Sequence, residues 1–304
     1  MSPHDPANPT PPALDARRNP GDAWVVAPTG QRYWGRYGAA GVMIVHPDRG
    51  VLLQHRALWS HHGGTWGLPG GALHEGELPL AAALREADEE AGAPADALAP
   101  FATLVADKGV WRYTTVLARL TRDYVPSAHD GESLELRWVK PLQVSEYPLH
   151  PGFAGAWPTL ARMVDLRPAL VVDAANVVGS RPDGWWKDRR GAAERLMARL
   201  GLLHRVGVPA GELDLPGERW HPPIEVVLEG AARGADALDC IEVSEARSSG
   251  DDQVVDSTRA RLGNGEQVTA VTSDRALRER LEALGATVRG AGWLLRTLDR
   301  IASD

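Results

Sequence analysis

The stretch Gly71 to Ala93 reads GALHEGELPLAAALREADEEAGA, a glycine-led loop running into a segment that carries Glu86, Glu89 and Glu90. Proline suits the first helical turn, where a missing N–H costs nothing, and glycine suits the left-handed position just past a helix. Pro79 and Gly92 therefore predict a helix from Pro79 to Ala91. At 3.6 residues per turn, Glu86, Glu89 and Glu90 share one face of it. Leu80, Leu84, Ala87 and Ala91, with further alanines, supply an apolar side able to pack against a sheet. Stacked carboxylates repel one another by roughly 0.2–0.5 kcal/mol per exposed pair. A divalent cation reverses that cost, and Mg²⁺ is the natural candidate because it takes hard oxygen ligands and commonly bridges one or two carboxylates to a substrate's phosphates. The competing reading is a solvated acidic helix.

Composition bounds the rest. The 304 residues are enough for two domains, each with its own core. Hydrophobic residues at 43% and charged residues at 24% are those of a soluble globular protein. No apolar run approaches the ~20 residues that span a bilayer, so no membrane association is expected. The N-terminus lacks a charged region followed by an apolar core and cleavage site, and the expected location is cytoplasmic. Cys240 is alone, which excludes an intrachain disulfide and a structural zinc site built on cysteines. A net charge of −7 speaks against a surface that binds nucleic acid throughout, while leaving a local basic patch open. Nothing in the sequence sets the oligomeric state.

Residues 1–20 are rich in proline and polar side chains and read as a disordered tail. Apolar runs at Gly41 to Val45 and Val51 to His55 flank a turn-rich insert and predict a hairpin. Phe101 to Val105, Trp111 to Ala118 and Leu134 to Val139 read as further strands, and a helix is expected near Ala156 to Val164. A first domain over 21–166 gives way to a second over 167–304. There, strand-like runs at 169–172, 224–228, 241–243 and 268–271 alternate with helix-like stretches around 190–200, 251–261 and 274–284, the rhythm of a parallel sheet covered by helices. Ligands gather beyond the carboxyl ends of such strands. Asp173, Glu229, the pair Asp251 and Asp252, and Asp274 fall at those ends, with Asn176 one turn past Asp173 and Asp188 opening the next helix. Singly, each such aspartate reads equally well as a helix cap or turn residue.

The loop and helix at Gly71 to Ala93 resemble the Nudix box: Gly71, Glu77, Arg85-Glu86, Glu89-Glu90 and Gly92 stand at its spacing, and the flanking TWGLPGGAL from Thr65 to Leu73 is similar to the family's entry to it. Ala87 and Ala93 depart from the larger aliphatics usual there. The resemblance implies an α/β/α sandwich with a mixed sheet and a hydrolase that cleaves a pyrophosphate joining a nucleoside to another moiety. It further implies Mg²⁺ or Mn²⁺ held by Glu86, Glu89 and Glu90, with a carbonyl of Gly70 or Gly71 adding an oxygen, Glu89 assisting as base, Arg85 orienting the carboxylates and Glu77 supporting the loop. Substrate candidates are Trp59 and His61 in the loop ahead of the box, together with Glu132 and Tyr147. His62 and Trp66 share that loop, Trp66 reading as core packing, and Glu135 shares the strand region of Glu132. The segment Tyr147 to Phe153 lies where nucleotide-sanitising relatives often form a base pocket. It carries no paired acids suited to a purine edge, which speaks against an oxidised purine.

The second half resembles the PIN-like ribonuclease superfamily, in particular its NYN branch, in VVDAANVVGS (Val171 to Ser180), WWKDRRGAAERL (Trp185 to Leu196), SGDDQVV (Ser249 to Val255) and VTSDRALRERLEALGATV (Val271 to Val288). This implies a Rossmann-like parallel sheet in which Asp173, Asn176, Asp251, Asp252 and Asp274 hold divalent ions against a phosphodiester, with Glu229 standing where an aspartate is usual. Trp185, Trp186, Lys187, Arg189 and Arg190 set aromatics beside cations, a pattern that suits RNA. Three functions remain open: a Mg²⁺-dependent Nudix diphosphohydrolase acting on a nucleoside diphosphate derivative, an endoribonuclease partnered by the Nudix domain, and a nucleotide sensor regulating that nuclease.

Overall fold

A computed structural model describes residues 20–128, 131–182 and 184–302. The tail expected over 1–20 lies, but for Pro20, outside the described residues. The chain divides into two compact units, the first comprising the described residues up to Val164 with Pro216–Glu218, the second Asp165–Leu215 and those from Arg219 onward.

In the first unit a short antiparallel pair, β1 (Trp24–Val26) and β2 (Arg32–Trp34), precedes β3 (Ala39–His46), β4 (Gly50–Arg56), β5 (Trp66–Gly67) and β6 (Gly70–Ala72). After α1 (Pro79–Ala91) come β7 (Leu98–Asp107), β8 (Arg112–Leu120), β9 (Ser133–Val139) and α2 (Pro151–Val164). The strands form a mixed sheet in the order β7, β8, β3, β4, β5, with β6 paired to β3 and β9 to β4. The β3–β8 pairing is parallel and its neighbours are antiparallel.

α1 occupies the span its end signals predict. Pro79 stands in its first turn, and Gly92 closes it at φ 62 with its N–H donating to Asp88 O. Its packing face is the expected one at Leu84, Ala87, Ala91 and the further alanines, and departs from it at Leu80. Leu80, in the first turn, is 38% exposed, and the buried face is made by Ala82, Ala83, Ala87 and Ala91 against Val42, Ile44 and Val116. Methyl-sized side chains let the helix lie close over β3, and Ala87, one of the two departures from the box pattern, is fully buried there.

The second unit is built on β10 (Pro168–Asp173), followed by α3 (Ala174–Gly179), α4 (Arg189–Val206) and a short antiparallel pair, β11 (Val208–Pro209) and β12 (Arg219–Trp220). Next come β13 (Ile224–Leu228), β14 (Ile241–Glu245), α5 (Gly250–Gly263), β15 (Gln267–Val271), α6 (Arg275–Ala283), β16 (Thr287–Arg289) and α7 (Ala291–Ile301). Its five-stranded sheet, in the order β14, β13, β10, β15, β16, is parallel throughout. Val171, Val227, Val268 and Ala270 are buried against Val254, Val255, Leu277 and Leu281 of the helices. Among the described residues no helix is long and apolar enough to cross a membrane.

Candidate functional site

Antiparallel pairing of β6 with β3, Ala40 opposite Gly71 and Gly41 opposite Gly70, brings the two glycines beneath α1. Neither position has room for a side chain. A Cβ on Gly70 would lie 2.5 Å from the Gly41 Cα, and one on Gly71 would lie 2.5 Å from Glu86 Oε1. The carboxylate of Glu86 thus rests on bare backbone.

Arg85 organises the acids. Its Nε and Nη2 donate to the two oxygens of Glu77, both at 3.0 Å, while Nη1 donates to Glu86 Oε1 at 2.7 Å and to Glu89 Oε2 at 3.1 Å. Nη2 also reaches Ala72 O at 3.2 Å. A planar fork holding three carboxylates fixes their orientation more tightly than a lysine would. Glu77, which also accepts the His74 N–H, has its carboxyl lowered chiefly by the Arg85 hydrogen bonds. Glu86 goes the other way: burial outweighs Arg85 and, with Glu89 and Glu132 nearby, pushes its carboxyl up to about 7. Glu90 is 2% exposed, and among the described residues its carboxylate accepts a single hydrogen bond, from Gly70 N–H at 2.6 Å; burial and the neighbouring Glu86 raise its carboxyl well above the usual range. Glu89 is the open member, its side chain 55% exposed.

The structure therefore brings together Glu77, Arg85, Glu86, Glu89, Glu90 and Gly71, with Glu132 close enough to act electrostatically on Glu86 and Glu90. Glu135 does not join them, its carboxylate being paired with Arg137. Beside Gly70 and Gly71 opens a cavity of about 470 Å³. Tyr33, Trp34, Trp111, Tyr113 and Phe153 form its aromatic wall, with Arg32, Arg56 and Lys108 as cations. His61 lines it, as do His62 and His150, whereas Trp59, Glu132 and Tyr147 do not. Tyr147 instead packs edge-on against Trp66, whose burial matches its reading as core, and accepts a hydrogen bond from Arg137. Arg56, Tyr113 and His150 escaped the sequence reading. They sit on strands or at a helix entry with no local motif, and only the segment Tyr147 to Phe153 hinted at one of them.

In the second unit, Asp173 and Asn176 meet the end of β15. Asp173 accepts from Asn176 N–H at 3.1 Å and Thr272 Oγ1 at 2.9 Å, and Asn176 Oδ1 accepts from Ser273 N–H at 2.7 Å. Burial raises the Asp173 carboxyl, and nearby Asp251 and Glu229 push the same way. Asp251 is raised by burial and by Asp274. Asp274 caps α6 through Leu277 N–H at 2.8 Å, and Asp188 caps α4 through Gly191 N–H at 2.9 Å. Asp252 turns to Arg280 at 2.6 Å, and Glu229 accepts from Gly250 N–H. The parallel strands thus gather Asp173, Asn176, Asp251 and Asp274, while an arginine on the neighbouring helix draws Asp252 aside.

The family model described as NUDIX domain matches residues 35–163. A Mycobacterium tuberculosis protein named putative 8-oxo-dGTP diphosphatase 3 is 50% identical over 161 residues, covering 49% of this chain and 74% of the relative. A nucleoside triphosphate pyrophosphatase/Nudix hydrolase fusion protein of Bifidobacterium longum is 38% identical over 162 residues, 51% of this chain and 34% of that one. The crystal structure of a Nudix hydrolase from Mycobacterium smegmatis, RenU, shares 48% identity over 47% of this chain and 94% of its own, with a TM-score of 0.44. With the box laid out on α1, and half the aligned residues shared with a relative spanned over three quarters of its length, this chain belongs to the Nudix hydrolase family.

Proposed function

We propose that the first unit is a divalent-metal-dependent pyrophosphohydrolase acting on a nucleoside di- or triphosphate derivative, and that 21–166 and 167–304 are separate functional domains. The observation that carries the reading is the handling of charge: Arg85 gathers Glu77, Glu86 and Glu89, while Glu90 is buried beside them on one amide N–H. The donor set suits Mg²⁺ or Mn²⁺, hard ions that take carboxylate and carbonyl oxygens. Glu86, Glu89 and Glu90 would hold it, with a carbonyl of Gly70 or Gly71. When bound, the ion supplies charge neutralisation on the diphosphate and a lowered pKa for attacking water. Arg85 holds Glu86 and Glu89 in register. Glu89, the most exposed of the three acids, accepts the proton of the attacking water.

The cavity beside the glycines suits the nucleoside, its aromatic wall offering faces for a base. The relative named for 8-oxo-dGTP supports a purine triphosphate. No carboxylate is among the lining residues, so a purine edge would be read by Gln31, Thr115 and backbone groups. Purified protein and Glu89→Gln are incubated with Mg²⁺ and nucleoside triphosphates, oxidised purine triphosphates, ADP-ribose and dinucleoside polyphosphates. Turnover of one compound, reduced at least 100-fold in the variant, is expected; equal turnover by both proteins refutes the assignment.

The cluster of Asp173, Asn176, Asp251 and Asp274 supports a second reading for the second unit, a PIN-like, metal-dependent endoribonuclease with the Nudix domain as partner or nucleotide sensor. RNA cleavage by the native chain, lost in Asp173→Asn with Asp274→Asn, is its expected outcome.

A further inference from the structure

One wall of the cavity carries a second group of ligand-bearing side chains that the box chemistry does not use. His61 and His62 stand in the loop between β4 and β5, and His150 stands at the entry to α2; one ring nitrogen from each lies within 4.8 Å of the other two. Backbone pairing holds these distant segments together. Trp66 N–H donates to Pro148 O at 2.9 Å and His150 N–H to Trp66 O at 2.8 Å, a parallel bridge that pins His150 beside the loop. The loop itself is closed by Gly64 N–H to Arg56 O at 2.9 Å and Thr65 Oγ1 to His62 O at 2.6 Å.

His62 has a φ of 56°, in the left-handed region that non-glycine residues rarely adopt. That conformation sets its ring centroid 4.1 Å from His61 and 4.7 Å from His150. Core packing does not explain the arrangement, because His61 and His62 are exposed. Charge pairing does not either: among the described residues none of the three rings forms an ion pair. Burial, with Arg56 and the other two rings, pushes His150 below the ordinary imidazole range, and burial followed by His62 lowers His61.

We propose that His61, His62 and His150 form a second metal site, for a borderline transition-metal cation of which Zn²⁺ is the first choice, independent of the carboxylates of α1. Imidazole nitrogens suit zinc and its neighbours, whereas Mg²⁺ prefers oxygen. Three protein ligands with a free fourth position are the arrangement of an open zinc site. Zn–N bonds of about 2.0–2.1 Å in a tetrahedron require nitrogens about 3.4 Å apart, so the rings close up by side-chain rotation, which exposed loop histidines can make. Two features oppose binding and set its strength. The His150 Nδ1 accepts Gly152 N–H at 3.1 Å, a bond that coordination through Nε2 exchanges, and Arg56 adds positive charge nearby. All three histidines line the cavity that Gly70 and Gly71 also line.

The test uses the full chain and Zn²⁺ alone, by competition with a chromogenic chelator and by elemental analysis. In the Glu86→Gln/Glu89→Gln/Glu90→Gln background one Zn²⁺ per chain is expected, and Co²⁺ in its place gives the visible absorption of a four-coordinate nitrogen site. Loss of partners beyond the ligand shell alone costs about 10–100-fold in metal affinity, so His150→Ala and His62→Gly should each weaken binding by more than about 100-fold. Glycine adopts φ 56° without strain, so His62→Gly removes the ring and keeps the fold, which a melting curve in EDTA verifies. Should the triple variant fold poorly, the same comparison in the native chain with Mg²⁺ in large excess gives the answer. Zn²⁺ retained in His62→Gly and His150→Ala, or no Zn²⁺ bound once the carboxylates are removed or saturated, overturns the proposal.

Discussion

Replacing Glu86 by glutamine should stabilise the metal-free protein at alkaline pH. The Glu86 side chain is 12% exposed, and its carboxyl is pushed from an ordinary 4.5 up to about 7, mainly by burial. A folded-state value above the unfolded one means that the folded chain holds the proton more tightly. The stability associated with protonated Glu86 is complete below 4.5 and is lost as the pH rises through about 7. At roughly 1.4 kcal/mol per unit, the cost of ionised Glu86 above that range is about 3 kcal/mol. Glutamine keeps the shape and an acceptor for Arg85 Nη1, and because the value of about 7 already includes the pull of Arg85 on the carboxylate, the expected gain is that same figure of about 3 kcal/mol. Hydrogen exchange by mass spectrometry, read on peptides from β3 and α1, isolates this unit from the other. In EDTA at pH 8 the variant should exchange more slowly than the native chain, and the difference should vanish by pH 4.5. Saturating Mg²⁺ should stabilise the native chain by mass action and the variant less. A variant no more stable than the native chain at pH 8 in EDTA, or an advantage equal at both pH values, would refute the account of Glu86 as a carboxylate held at a cost.

Gly71→Ala would set a methyl 2.5 Å from Glu86 Oε1 and 2.7 Å from its Cδ, so the carboxylate must move off its place under Arg85; a fall in kcat above tenfold with a nearly unchanged melting temperature is expected in the metal-dependent assay. In the second unit Arg261, whose side chain is 9% exposed, binds Glu225 at 2.7 Å, Glu266 at 3.1 Å and also Glu242. Arg261→Met strands Glu225 and should cost about 3–5 kcal/mol in urea denaturation. Burial alone would raise Glu225, yet hydrogen bonds from Ser244, Ser257 and Arg261 hold it below its ordinary value, so its contribution is present above the unfolded carboxyl value and lost on acidification. The gap between native chain and variant should therefore narrow below about pH 4.

Signals that lie in the backbone read through to the structure. Pro79 and Gly92 bracket α1 because one lacks an N–H and the other takes φ 62°. The β3–β4 hairpin follows from apolar runs on either side of a turn that ends at Gly50, where φ is 96° and a Cβ would lie 2.2 Å from Val139 O. The start of α2 is less legible: the expected helix opens near Ala156, whereas Pro151 is its first residue, and a proline in a first helical turn looks the same in sequence as one in the loop before it. Strand β16, three residues long, falls below any periodicity that a sequence can display. For the site, a shared face for Glu86, Glu89 and Glu90 is a matter of helical period. Which of them is buried is not, since that depends on Gly70 coming up from β6. Asp252 was similarly opaque, because its partner Arg280 lies a helix away. His150 is 88 positions from His62 and meets it only through the bridge at Trp66.

The position of Glu90 bears on why this sequence exists at all. A carboxylate 2% exposed, with one amide donor and no cation paired to it among the described residues, costs several kcal/mol to bury. The neighbours on its helix, Ala83, Ala87 and Ala91, are small and fully buried, so an apolar residue at position 90 would extend a face that already packs. Selection for stability alone would favour that replacement. A glutamate there, five residues along α1 from Arg85 and beside backbone that admits no side chain, supports a ligand whose charge offsets the burial. The same reasoning separates Glu90 from Asp252 or Glu135: both are exposed enough and paired well enough with an arginine to need no ligand, and their acidity alone carries no functional weight.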